Sequence, residues 1–211
     1  MKHFLVSLII ATVLTGASYG VGIYMDWITT TPWLEVASVF TSYSCTYLCV
    51  RESRWNFPIG IVSVTLLGIL FYQTKLYSSM VLSLYLVPVL IAGWIAWAKL
   101  DSKLIVQRSQ LKVMLPAALL SVLTYFVVVW ITEAVGGTLT QYDSAILVLS
   151  ILAQYLLTAK VLESWMIWAI VNVLAIYTYF NAGTYMVAMQ YVFFLANTAY
   201  GYHCWKRSIP E

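Results

Sequence analysis

Two uncharged side chains deep in an apolar stretch are the strongest candidates for ligand binding. Trp168 and Asn172 are four residues apart, so on a helix they lie on one face. An aromatic plane one turn from a primary amide suits a flat, neutral or cationic heteroaromatic ligand, because stacking, cation–π attraction and an amide hydrogen bond act together. Two other interpretations stay open: an interhelical hydrogen bond for Asn172 and a place in the interfacial aromatic belt for Trp168.

Other polar and aromatic side chains of the predicted helices could complete such a site. Gln154 is a second deep amide, and Asn197 lies in the last apolar segment. Tyr85 and Tyr177 are further candidates, although packing or an interfacial position is the alternative for each tyrosine. Gln190 is a weaker candidate of the same kind. The predicted substrate-binding set is Trp168, Asn172, Gln154, Asn197, Tyr85 and Tyr177.

The same inventory argues against an enzyme or a metal protein. The chain has no His-Glu-x-x-His motif, no glycine-rich phosphate loop and no Ser/His/Asp set. Its three cysteines and two histidines match no familiar zinc spacing. The acidic residues stand at the ends of predicted helices, where they cost least in lipid. We expect no catalytic residue, no metal and no cofactor.

Composition identifies the solvent of the chain. Hydrophobic residues make up 62% and charged residues 9%, with a mean hydropathy of +0.86. A water-soluble domain has about 25% charged residues, so this chain must be surrounded by membrane lipid. The net charge of +3 forms no basic patch interleaved with exposed aromatics, which excludes a nucleic-acid partner.

A transmembrane helix needs about 20 mostly apolar residues, and eight segments approach that length. The first follows Met1-Lys2-His3 and is too long for the core of a signal peptide, so we expect it to be retained. The chain is predicted to form one all-α transmembrane domain, 1–211, with eight spans. They cover approximately 4–25, 33–50, 55–73, 79–98, 112–132, 143–160, 164–181 and 184–204.

Basic residues orient these spans. Ten of the eleven lysines and arginines fall on the side of the membrane that holds both termini, and Lys75 alone falls on the other side. Positively charged connections stay in the cytoplasm. We therefore predict a multi-pass protein of the cytoplasmic (inner) membrane with both termini cytoplasmic.

Part of the sequence occurs twice, 108 residues apart. Tyr47-Leu48 recurs as Tyr155-Leu156, and Gly93-Trp94 recurs as Gly201-Tyr202. The offset divides the chain into a first copy, 33–98, and a second copy, 143–205. A linker helix, 112–132, separates them, and an additional first helix occupies 1–30. Three spans per copy and one linking span predict a 3+1+3 parallel repeat, typical of transporters with the substrate between the copies.

Short motifs in both copies resemble the PnuC family of vitamin transporters. In the first copy they are Glu52-Ser53-Arg54-Trp55-Asn56-Phe57-Pro58, Lys75-Leu76-Tyr77 and Gly93-Trp94-Ile95-Ala96-Trp97. In the second copy they are Gln154-Tyr155-Leu156, Glu163-Ser164-Trp165, Trp168, Asn172 and Gly201-Tyr202-His203-Cys204-Trp205. The resemblance covers about Tyr47 to Trp205.

The resemblance implies a SWEET-like fold, a homo-oligomer that can be a trimer, and import of nicotinamide riboside by facilitated diffusion. Some members carry thiamine or riboflavin, and intracellular phosphorylation traps the cargo and supplies NAD biosynthesis. Trp168 and Asn172 match the family's substrate-binding Trp/Asn motif. Ser83 and Ala92 depart from the family pattern, where a glutamine and an aromatic are expected, which weakens the assignment to nicotinamide riboside specifically.

The functional hypothesis is thus a uniporter for nicotinamide riboside, with Trp168 stacked on the pyridine ring and Asn172 hydrogen-bonded to its carboxamide. A transporter of another vitamin is one alternative. A non-transporting membrane scaffold is a second, and an intramembrane enzyme is disfavoured by the lack of deep ionisable groups. The partners expected are the small-molecule substrate, membrane lipid and further copies of the chain.

Overall fold

The computed structural model describes residues 2–50, 53–97, 111–158 and 161–207, which form eight α-helices joined by short connections. The predicted all-α class is confirmed, and each predicted segment corresponds to one helix. The helices are α1 (Lys2–Tyr24), α2 (Trp33–Val50), α3 (Asn56–Gln73), α4 (Tyr77–Trp97), α5 (Leu111–Ala134), α6 (Thr140–Thr158), α7 (Ser164–Asn181) and α8 (Tyr185–Arg207).

Four stretches of the described chain are long and apolar enough to cross a membrane on length and composition alone. They lie in α1, α3, α4 and α5: His3–Tyr24, Asn56–Gln73, Tyr77–Ile95 and Leu115–Ala134. The other four helices carry more polar side chains. In α2, for example, Ser38, Ser42 and Ser44 are buried, and a polar group at membrane depth is tolerated where it faces protein.

Six helices form a closed ring. Around it run α2, α3, α4, α6, α7 and α8, and α8 packs back on α2. The remaining two lie outside the ring: α1 contacts α2 and α8, and α5 contacts α6 and α4. The connections within α2–α4 and within α6–α8 are therefore local, whereas the α2–α8 and α4–α6 contacts join distant parts of the chain.

The 108-residue offset recurs in the backbone, and we call residues separated by it repeat equivalents. Both ends of α3 and α7 differ by this offset, Asn56–Gln73 against Ser164–Asn181. The residues that follow these helices, Lys75 and Gly183, share a positive φ, 57° and 77°. Leu76 N–H donates to the Phe71 carbonyl at 2.9 Å, and the equivalent bond in the other half has the same length. The two helical hairpins thus end in the same turn.

The outer helices are also equivalent, which the sequence motifs did not indicate. Shifting α1 by 108 residues covers 110–132, and α5 spans Leu111–Ala134. Their neighbours correspond too, since α1 lies on α2 and α8 while α5 lies on α6 and α4. The first helix, expected to lie outside both copies, occupies in the first half (α1–α4) the position that α5 occupies in the second half (α5–α8).

Side-chain size makes the two outer helices pack differently. The buried stripe of α1 consists of small residues: Ser7, Ala11, Thr15, Ser18 and Gly22. Small residues let helices approach closely, and Ser7 and Ser18 reach hydroxyls of Ser44 and Tyr43 at 3.1 and 3.3 Å. The repeat equivalents on α5 are large and exposed: Leu115, Leu119, Leu123, Phe126 and Trp130. Consequently α1 is packed closely and α5 loosely.

The two halves meet at one end of the bundle around a pair of repeat equivalents. The rings of Phe71 and Tyr179 stack with centroids 4.9 Å apart and planes 20° from parallel. Both side chains are buried, and the Tyr179 hydroxyl lies 3.0 Å from the Ser79 hydroxyl. A residue that contacts its own equivalent must lie beside the axis relating the halves, so this axis passes between the two rings.

Two buried carboxylates, also repeat equivalents, bridge the halves at the same end. Asp143, in the first turn of α6, accepts hydrogen bonds from the backbone N–H groups of Ser78 and Ser79 at 2.7 and 3.1 Å, and from the Ser79 hydroxyl. Glu35, in the first turn of α2, accepts from the backbone N–H of Val187 at 3.0 Å. Each carboxylate therefore satisfies free N–H groups at the start of the partner half's last helix, where the helix dipole favours negative charge.

These caps predict an ordered set of stabilities. Asp143→Asn places an amide against backbone donors, so the free energy of unfolding should fall by about 1–3 kcal/mol. Glu35→Gln, which disturbs fewer bonds, should cost less. The measurement is the thermal unfolding midpoint of the detergent-purified protein. Glu133→Gln is the matched control, since Glu133 is exposed, and it should change nothing; an unchanged midpoint for Asp143→Asn would contradict the structural role.

Candidate substrate site

Asn172 joins α7 to α8 in the middle of the bundle. Its side chain is 3% exposed, and its amide nitrogen donates to the Thr198 hydroxyl oxygen at 2.9 Å. Thr198 in turn donates to the carbonyl of Phe194, one turn earlier on α8, at 2.8 Å. The interhelical hydrogen bond that the sequence left as an alternative is present. Such a bond also fixes the orientation of the amide, which a binding role requires.

Trp168 lies one turn from Asn172 on α7. Its side chain is half-buried at the edge of the hydrophobic core. Its indole N–H is buried, and it has no hydrogen-bond partner among the described residues. A buried donor without a partner costs free energy, and a bound ligand with an acceptor would remove that cost.

The Trp/amide pair exists in the second half alone. The repeat equivalents of Trp168 and Asn172 are Gly60 and Val64. A Cβ on Gly60 would lie 3.0 Å from the Cys45 sulfur and 3.3 Å from a methyl of Leu90, so the first half is filled at this level. The equivalents of those two neighbours are Ala153 and Thr198. Both are smaller, and the exchange makes room for an indole.

A cavity of about 610 Å³ lies between α4, α5 and α6. Two of the predicted site residues, Tyr85 and Gln154, contribute to its wall. Its full lining is Tyr85, Val89, Ala117, Leu120, Ser121, Thr124, Val148, Ile151, Leu152, Gln154 and Tyr155. The volume is that of a typical small-molecule site, but the wall does not include the other four predicted residues.

Those four residues do not form one cluster. Trp168 and Asn172 share one face of α7, as predicted, and Asn197 is half-buried beside Thr198 on α8. Tyr177 is 47% exposed and packs its ring on Tyr142 at 4.8 Å. The structure therefore groups Trp168 with Asn172 and Tyr85 with Gln154, and it leaves Tyr177 near the surface of the bundle.

Thr198 is the site residue that sequence reasoning missed. A threonine in an apolar helix is common and carries no motif. The signal was in the comparison of the copies, because its equivalent is the apolar Leu90. Gln190 shows the same asymmetry: it is buried and donates to the Ser42 hydroxyl at 2.8 Å, and its equivalent is Leu82. At both of these positions the polar side chain belongs to the second half and its equivalent in the first half is a leucine.

The two residues that depart from the family pattern are not equally placed. Ser83 is buried, and its hydroxyl donates to the Ser79 carbonyl of its own helix at 2.9 Å. Ala92 is exposed. The hydroxyl at position 83 is therefore occupied within α4, and the methyl group at position 92 faces outward. No group of three or more His, Cys, Asp or Glu side chains that could hold a metal is found among the described residues.

Glycines seat an aromatic ring next to the candidate site. A Cβ on Gly201 would collide with the indole of Trp165. This indole makes an edge-to-face contact with the ring of Trp205, with the ring centroids 5.3 Å apart. The equivalent pair, Gly93 and Phe57, has the same arrangement. The repeated glycine of the two copies therefore admits a ring from the start of the preceding helix, and in the second half this ring lies one turn from Trp168.

Gly201→Ala tests whether the space that Gly201 leaves for the Trp165 ring is needed. The added methyl group must displace the Trp165 ring, and overpacking of this kind costs about 1–3 kcal/mol. We expect a lower thermal unfolding midpoint in detergent. Gly16→Ala is the control, because nothing lies within 4 Å of a Cβ there and alanine favours a helix. Equal unfolding midpoints for the two variants would show that the space at Gly201 is not needed.

Comparison with known proteins agrees with these features. The family model described as "Nicotinamide mononucleotide transporter" matches residues 32–207. The nicotinamide riboside transporter PnuC of Escherichia coli is 28% identical, with 85% of this chain and 87% of that protein covered. The protein of the same name from Neisseria mucosa is 28% identical over 85% of this chain and 74% of its own length.

A solved structure shows the same fold. It is described as the crystal structure of the vitamin B3 transporter PnuC, and it superposes with a TM-score of 0.72 at 23% sequence identity. The match covers 99% of this chain and 96% of that one, so it includes all eight helices, α1 among them. The family model, in contrast, begins after α1.

Proposed function

The chain belongs to the nicotinamide mononucleotide transporter family, a family of membrane transporters, and we propose on that premise that its cargo is nicotinamide riboside. The observation that carries the proposal is the pairing of Trp168 with an interior amide, Asn172, in one half of the bundle only. The indole would stack on the pyridinium ring, which is flat and cationic, and the amide would bind the carboxamide. Relatives in two organisms, named as nicotinamide riboside transporters, support the same cargo.

The distribution of charge favours the riboside over the phosphorylated nucleotide in the family's description. A buried phosphate needs cationic partners. The basic residues whose side chains the structure describes stand at helix ends or in connections: Arg54, Lys75, Lys206 and Arg207. A neutral ribose with a pyridinium ring needs none of them. Transport of thiamine or riboflavin is the alternative cargo, and both are also flat heteroaromatic compounds.

The mechanism we propose is facilitated diffusion by movement of the two halves against each other. All eight helices would span the membrane, as an additional first helix, α1, and a SWEET-like 3+1+3 bundle, with both termini in the cytoplasm of an inner-membrane protein. The α2–α8 and α4–α6 contacts are the surfaces that would rearrange. In that orientation the Asp143 and Glu35 caps lie at the outer end, so they would close the outer side when the inner side opens.

We also propose that the chain forms a homo-oligomer, of which a trimer is one form. The support is α5, which is the least buried helix and presents large apolar side chains on several sides. Trp130 is 72% exposed, and Leu123 and Phe126 are almost as exposed. In a membrane such a surface can contact lipid, and it can equally contact α5 or α4 of another copy.

Scaffolding without transport is the rival function.

Uptake into proteoliposomes tests the proposal. The purified protein should mediate saturable uptake of labelled nicotinamide riboside with no ion gradient. Trp168→Ala and Asn172→Ala should each raise the half-saturation concentration by about tenfold, because stacking and a buried hydrogen bond are each worth roughly 1–3 kcal/mol.

Matched controls separate binding from folding. Trp33→Ala removes an exposed tryptophan at the start of α2, and Asn181→Ala removes an exposed asparagine at the end of α7. Both should transport like the unaltered protein. If folded protein gives no saturable uptake, and nicotinamide riboside does not raise its melting temperature, the scaffold function gains support and the transport proposal is wrong.

A further inference from the structure

We propose that Thr198 is a positioning residue that makes the transporter select a carboxamide over a carboxylate. It does so by fixing the amide of Asn172 with its oxygen directed to the substrate. The inference rests on the proposed function, since it concerns how the same site distinguishes nicotinamide riboside from its acid analogue. It adds a residue that no motif marked.

The argument begins with the single proton of the Thr198 hydroxyl. A hydroxyl donates one hydrogen bond and accepts up to two. The Phe194 carbonyl, 2.8 Å from this hydroxyl, can only accept, so it takes the proton. Toward Asn172, 2.9 Å away, the hydroxyl can therefore act only as an acceptor. The amide must present its nitrogen to Thr198.

This polarity determines what the amide offers elsewhere. Asparagine has two donor hydrogens and one acceptor oxygen, and one donor is engaged by Thr198. Within the described chain this is the one polar contact of the Asn172 side chain. Because the nitrogen is held on the α8 side, the oxygen is left on the opposite side of the amide for a ligand. A free amide could rotate by 180° and exchange the two roles; this one cannot without losing its bond to Thr198.

The oxygen discriminates between the two forms of the pyridine substituent. A carboxamide has an NH₂ group that donates to it. A carboxylate has acceptors only, so it would place lone pairs against lone pairs and bring a negative charge into a site without a described cation. A site built for one hydrogen-bonding pattern rejects the analogue that cannot satisfy it more strongly than a site that recognises shape.

The first half has no hydrogen-bonding pair equivalent to Asn172 and Thr198. The equivalents of Asn172 and Thr198 are Val64 and Leu90, which carry no polar atom in their side chains. At this pair of positions the selectivity therefore depends on the second half, where the bond to Thr198 orients the Asn172 oxygen.

The experiment compares two probes in proteoliposomes: nicotinamide riboside and the analogue with a carboxylate in place of the carboxamide. The unaltered protein should prefer the riboside by at least about tenfold. Thr198→Val has the same shape without an acceptor, and it should lower this preference by about fivefold, the size of one buried hydrogen bond. Thr198→Ser keeps the hydroxyl and should restore the preference.

The controls address folding and helix effects. Thr41→Val removes a hydroxyl that also donates to a carbonyl of its own helix, at 2.8 Å, but bonds no side-chain amide of the described residues; the preference of this variant should be unchanged. Thr198→Ala replaces the valine variant if that protein does not fold, which size-exclusion chromatography reports.

Two outcomes overturn different statements. If folded Thr198→Val or Thr198→Ala takes up nicotinamide riboside with the original preference for the amide, the positioning role is wrong and the proposed function stands. If the unaltered protein takes up neither probe, the proposed function itself is wrong. A reduced preference in the valine variant with recovery in the serine variant supports the inference, because a purely structural role would change the rate for both probes alike.

Discussion

Free N–H groups at the start of a helix are the constraint that organises this bundle. The first four have no partner within the helix, and where they are buried inside the protein water cannot satisfy them. Here α4 and α8 begin inside the protein, and each receives a carboxylate from the opposite half, Asp143 or Glu35. Because the donor helix and the acceptor helix belong to different halves, satisfying these groups also joins the halves. The stacked rings of Phe71 and Tyr179 fill the space on the axis between the two caps.

A frame that is held at one end leaves the rest of the interior free to diverge. Near the caps, repeat equivalents have the same structural role: each half contributes one carboxylate, one aromatic ring and one turn of the same shape. Further along the helices they differ. Gly60 corresponds to Trp168, Leu82 to Gln190 and Leu90 to Thr198. The symmetric end needs the same kind of side chain on both sides because each cap serves an equivalent helix, whereas the asymmetric substrate that we propose would need different side chains on its two sides.

The sequence predicted the helical class, the eight segments and the offset between the halves, since apolar length and short identities carry that information locally. It could not predict the partners of Asp143 and Glu35, because acids at predicted helix ends resemble solvated groups and their partners are distant in the chain. The equivalence of α1 and α5 was missed for a different reason. The buried stripe of α1 consists of small residues, whereas α5 has large residues at the equivalent positions. The two helices therefore share a position in the bundle but not a pattern of residue types. Trp168 and Asn172 could be paired from spacing alone, but the bond to Thr198 required the fold.

The hydrogen bond between Asn172 and Thr198 shows why structural and functional interpretations of a deep amide need not compete. An amide in a membrane helix must be satisfied by protein, and one bond to a neighbouring helix is enough to retain it. That bond uses one of the two donor hydrogens and fixes the direction of the other donor and of the oxygen. An amide held in this way is already oriented before the substrate arrives, and less conformational entropy is then lost on binding. In the proposed transporter the contact that joins α7 to α8 would therefore also orient Asn172 for a ligand, whereas the apolar Val64 and Leu90 of the first half have no side-chain polar atom for either role.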